Sequence, residues 1–244
     1  MTSEFQRNVA LDQELSTAVR LIKIGLGQLQ TLDAGNDFYH LPLLTLASGF
    51  ERFMKVTLCF RWLGVHGSFP TSEAFPVGRN GHDLKCLLQK IRNDCFLDDY
   101  VDNIPAARAD IEYLNSETLL SFISVLSDFG QAARYYNLDI IIGRKIQTEN
   151  PDIAWQSLET EILLGRTDLM AEIADNPTNN RFHSQINNEV VSRLERFARA
   201  LARLYTIGRI GDEAKRYIGH IGYFLHLSDS DLGKNRYEIS GSPF

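Results

Sequence analysis

Ala47, Glu51 and Lys55 stand four residues apart in this chain of 244 residues, and on a helix that spacing sets a carboxylate beside an ammonium. Apolar residues of the same stretch, Leu43, Phe50, Met54 and Leu58, flank the pair and partly withdraw it from water. Such a pair pins helix register in the plain reading and holds a ligand in the functional one. His82 and Asp83 open a later helical stretch. The acid favours a first helical turn, while the imidazole either packs there or serves as hydrogen-bond donor or proton carrier at the mouth of the preceding loop. A third feature is the row Arg193, Arg196, Arg199 and Arg203, set opposite Val190, Leu194, Phe197, Leu201 and Leu204. That row either holds phosphates through bidentate guanidinium contacts or lies solvated and paired with Glu189 and Glu195.

Other chemistries lose support. Phosphate loops of the GxGxxG or Walker type, HExxH, GxSxG and paired cysteine ligands are missing from the sequence. Cys59, Cys86 and Cys95 form an odd set with no CxxC spacing, which indicates a reducing compartment and neither a disulfide framework nor a zinc site. His220 and His226 fall on different faces of a helix and give no metal geometry. The expectation is therefore a protein with no metal and no cofactor. A net charge of −6 argues against a general nucleic-acid coat, although a local basic face is compatible with it. The first residues lack an apolar stretch after a basic start, and no run approaches the roughly 20 apolar residues of a membrane span. A cytoplasmic protein without a membrane partner is expected.

Helices must position these residues, and helices are what the apolar pattern predicts. Leu15, Val19, Ile22, Leu26 and Leu29 make one stripe of a first helix over residues 3–33. A second helix over residues 41–63 carries two stripes: Leu43, Ala47, Phe50, Met54 and Leu58, then Leu46, Phe53, Val56, Phe60 and Leu63. A helix apolar on two sides must be surrounded, so this one is expected at the centre. Residues 67–81, with Pro70 and Pro76, read as a loop before a third helix over 82–93. Further helices are predicted over 106–115, from Ser116 to about 133, from Asn150 to about Leu164 with a continuation to Ala174 after Gly165, over 184–207 and over 213–227. A break is expected at 175–180, and the run at 138–146 fits a short strand or a helix end equally well. The fold class is all-α: an up-and-down helical bundle over 1–148 with additional C-terminal helices over 149–227 packed on it as one unit. Residues 228–244 read as a polar tail, mobile or lying along the surface.

Ala47-x3-Glu51-x3-Lys55, followed by a loop and then by Gly81-His82-Asp83-Leu84-x2-Leu87-Leu88, resembles the HEPN domain (higher eukaryotes and prokaryotes nucleotide-binding). Ala133-Arg134-Tyr135-Tyr136 stands where substrate-binding members carry Arg-Tyr-Pro near a helix end, with Tyr136 in place of the proline. The resemblance covers residues 41–139 and implies a helical bundle, homodimerisation and a bacterial toxin, defence or nucleotide-handling setting. It also implies Glu51, Lys55, His82, Asp83, Arg134 and Tyr135 as ligand-binding residues. Many members are metal-independent ribonucleases in which an Arg and a His a few residues apart cut at the ribose hydroxyl. Arg61 and His66 have that spacing, but they close the second helix where the family motif opens its last. The expected function is a non-catalytic HEPN-like protein binding a nucleotide, RNA or a protein partner. The alternatives are a ribonuclease using Arg61 and His66, completed across a dimer, and an interaction module docking through the arginine row or the tail.

Overall fold

The computed structural model describes residues 3–76, 78–175, 181–207 and 209–239. Ser3 accepts the backbone N–H of Gln6 while the Gln6 side chain accepts that of Ser3, a reciprocal cap that starts α1 (Glu4–Leu29). The helix stops short of residue 33 because Asp33 and Asn36 bridge across a tight turn, and the Asp33 carboxylate takes the N–H groups of Gly35 and Asn36. α2 (His40–His66) then runs back along α1, ending at Gly67 in the left-handed conformation. The two helices approach closely because glycines face the contact. A Cβ on Gly49 would stand 2.9 Å from the backbone nitrogen of Ile22, and one on Gly25 would stand 2.5 Å from Leu46 Cγ.

As its two stripes predict, α2 is central. Leu43, Ala47, Phe50, Met54, Leu58, Leu46, Phe53, Val56 and Phe60 are all buried and Leu63 is half-buried, each large side chain contributing about 1.5–3 kcal/mol of apolar burial. α3 (Leu84–Cys95) and α6 (Glu117–Gln131) pack against it, together with α10 (Arg181–Arg203), whose Phe197 stacks on Phe50 at 4.7 Å. Between and beyond them lie α4 (Asp98–Asn103), α5 (Pro105–Leu114), α7 (Tyr136–Ile141), α8 (Pro151–Leu164), α9 (Thr167–Asp175) and α11 (Ile218–Leu225). Asn150 caps α8 and Pro151 takes its first position, as the sequence predicts. The ambiguous run at 138–146 is a helix followed by a turn, and α7 buries none of its residues. α4, six residues long, is too short to show a period in sequence. The break expected at 175–180 falls, beyond Asp175, outside the described residues.

Among the described residues there is no strand, so the fold is all-α, with one apolar core running from Leu11 to Tyr237. Among the described residues no helix is long and apolar enough to cross a membrane.

Of the two readings of the C-terminal segment, mobile or lying along the surface, the structure has the second as far as residue 239: most of its residues are exposed, and it is a strap fixed to the core. Gln30 donates to the Asn235 carbonyl at 2.7 Å and accepts from the Tyr237 N–H at 3.0 Å. The fully buried Glu195 of α10 accepts from the Gly233 N–H and the Tyr237 hydroxyl. Burial pushes the Glu195 carboxyl up in pKa, against those hydrogen bonds. The arginine row, in turn, is no solvated face. Arg199 is 3% exposed and donates to the Leu227 carbonyl and to Asp229; Arg203 pairs with the buried Asp110 at 2.8 Å. Arg193 pairs with Glu189 at 3.1 Å, and Arg196 lies over the Tyr113 ring at 4.2 Å. α10 is buried on several sides, so its arginines join it to its neighbours.

Candidate functional site

Glu51, Lys55, His82, Asp83 and Arg134 line one cleft of about 1740 Å³. Three elements bring them together. α2 turns the polar row Ser48, Glu51, Arg52 and Lys55 toward it, at the three- and four-residue spacing of one helix face. α6 passes α2 where both chains are small: a Cβ on Gly130 would meet the Ala47 Cβ at 3.3 Å. Just beyond that crossing a 3-10 turn, Ala133–Tyr135, delivers Arg134. The loop after α2 folds back over the cleft, contributing Phe69, Pro70 and Phe75, and ends at His82.

Glu51 is the hub. Its Oε1 accepts from Lys55 Nζ at 2.7 Å and from His82 Nδ1 at 2.8 Å. The carboxylate only accepts, so Nδ1 carries a proton and donates. Asp83 caps α3, its Oδ1 taking the N–H groups of Lys85 and Cys86 and the hydroxyl of the buried Ser127. Burial pushes the Asp83 carboxyl up, but those hydrogen bonds outweigh it and hold the group below the usual carboxylate range. Asp83 therefore fixes the site as a cap. Cys59 also lines the cleft, and burial together with the Glu14 charge pushes its thiol up to about 12, which keeps it protonated and poorly nucleophilic.

The charges in the cleft do not balance locally. Each of its carboxylates is engaged: Glu14 by Arg52, Glu51 by Lys55 and His82, Asp139 by Arg144 at 3.4 Å, Asp128 by Lys85 at 3.2 Å, and Asp83 by its cap. Arg7, Arg134 and Lys145 line the same cleft with no carboxylate partner among the described residues. Arg7 lies over the Phe69 ring at 5.3 Å and Arg134 over the Tyr135 ring at 5.0 Å. The Arg134 Nε is buried with no hydrogen-bond partner among the described residues. The leftover charge is positive, and an anion is the ligand it suits.

Not every residue marked in the sequence belongs here. Tyr135 is 49% exposed and supports Arg134 from outside, whereas Tyr136 lines the cleft. Arg61 donates to the Arg209 carbonyl at 2.6 Å, the His66 ring lies on Trp62 at 4.1 Å, and neither lines the cleft. The row from Arg193 to Arg203 has the partners already described. Conversely, Arg7, Ser48, Arg52, Arg144 and Lys145 line the cleft and carry no mark in the sequence reading. Ser48 and Arg52 share the face of Glu51 and Lys55, so helical spacing could have found them; Arg144 and Lys145 come from a loop that has no period. Compared with known proteins, the chain matches no family model, no curated protein and no solved structure.

Proposed function

We propose that this chain is a HEPN-like helical protein that binds a phosphate-bearing ligand, a nucleotide or a short RNA, in the cleft bounded by α2, α6 and the loop before α3, and performs no chemistry on it. One observation carries this reading: Arg7, Arg134 and Lys145 line a cleft in which every carboxylate is already engaged. The size of the cleft favours an extended ligand, since small-molecule pockets span about 300–1,000 Å³. Of the six residues marked by the HEPN resemblance, Glu51, Lys55, His82, Asp83 and Arg134 share that cleft and support the same reading, while Tyr135 lies outside it. Lys55 stands at the wall as a donor beside a bound phosphate, while the Nδ1 proton of His82 is held by Glu51. The ribonuclease alternative draws no support from the geometry, because Arg61 and His66 have other partners outside the cleft.

A thermal-shift titration with nucleotides and short single-stranded RNA tests the proposal. Melting should rise with ligand, and Arg134→Ala should weaken binding by about tenfold or more, the worth of a charge-assisted hydrogen bond. An unchanged melting temperature at millimolar ligand would overturn it.

A further inference from the structure

Arg134 borders a second, smaller pocket of about 370 Å³, so the residue stands at the junction of two cavities. The second pocket differs in character from the first. Phe38, His40, Phe129 and Tyr136 line it. Phe38 stacks on His40 with ring centroids 6.1 Å apart and planes 18° from parallel, and His40 meets Phe129 edge-on at 4.9 Å. Phe38 is 60% exposed although it is apolar and aromatic. Asp37 and Asp152 line the same pocket, and neither has an ion-pair partner among the described residues. The combination is specific: aromatic faces open to stacking, carboxylates that only accept hydrogen bonds, and one cation at the edge.

Resting on the anion-binding reading of the cleft, we infer that the second pocket is a base subsite: a nucleobase stacks on the Phe38–His40 pair, Asp37 and Asp152 accept from its N–H edge, and its phosphate lies at Arg134. Like-charge repulsion from Asp37 and Asp152 keeps the phosphate out of the small pocket and fixes the ligand's direction. Stacking alone tolerates every base, because each has a π face. The carboxylates add a preference for bases whose edge carries several N–H donors, guanine above all, over uracil, which offers one.

Calorimetric titration of the whole chain with ribose 5-phosphate, UMP and GMP separates the two layers of this reading. GMP should bind about tenfold tighter than UMP, and UMP tighter than ribose 5-phosphate, the difference expected of a good bidentate base contact. Phe38→Ala should bring GMP close to ribose 5-phosphate, and Asp152→Asn should reduce the GMP preference while the phosphate still binds. Both side chains lie at the surface, so both variants should fold. Equal binding of the three ligands, or unchanged GMP affinity in both variants, would overturn the base subsite and leave the phosphate site standing. Failure of all three to bind would overturn both.

Discussion

Arg134 holds a buried Nε without a hydrogen-bond partner among the described residues, a state that costs about 1–3 kcal/mol in a folded protein. Folding places the residue there through a close helix crossing at Ala47 and Gly130, at the wall of the cleft. Asp83, four helices away in sequence, has the opposite character, with its Oδ1 taking three hydrogen bonds as the cap of α3. Because folding lowers its pKa, its contribution to stability is complete above the ordinary carboxylate range and is lost as pH falls through the folded-state value. Asp83→Ala should therefore cost about 1 kcal/mol near neutral pH, a deficit that shrinks as pH falls below about 4. Urea denaturation of both proteins across that range checks it, and a deficit independent of pH would mean the charge plays no part.

The close approach of α1 to α2 depends on glycines that face large side chains of the other helix, Gly25 against Leu46 and Gly49 against Ile22. Gly49→Ala should destabilise the protein by about 1–3 kcal/mol, because its Cβ would press on the backbone of Ile22, which cannot swing aside as a side chain can. An unchanged denaturation midpoint would show that the helices can separate at no cost. The same scale explains what the sequence reveals of this fold. The two stripes of α2 announce a surrounded helix, and the Asn150-Pro151 start of α8 is a local signal that needs no tertiary knowledge. α10 is misread as half solvated because charged residues ordinarily lie at the surface. The partners that let Glu195 and Arg199 be buried, Leu227, Asp229, Gly233 and Tyr237, lie in another element. The strap after α11 hides for the same reason: side-chain hydrogen bonds hold it, and no apolar period does.

A single core joins the bundle, the C-terminal helices and the strap, and the cleft opens between elements drawn from residues 7–148. Part of that cleft is legible in the sequence, since Glu51 and Lys55 share a helix face and His82 sits beside a capping residue. The remainder depends on how the molecule closes: Arg7 comes from α1, Lys145 from the turn beyond α7, and Tyr136 replaces Tyr135 because a 3-10 turn rotates the chain between them. Binding at this cleft should be visible at one atom group and absent at another. In a nuclear magnetic resonance titration with GMP or a short RNA, the imidazole resonances of His82, beside Glu51 in the cleft, should shift. Those of His220, which pairs with Asp12 at 2.7 Å and does not line the cleft, should stay in place. No change at either histidine, or equal change at both, would contradict a phosphate-binding site at this cleft.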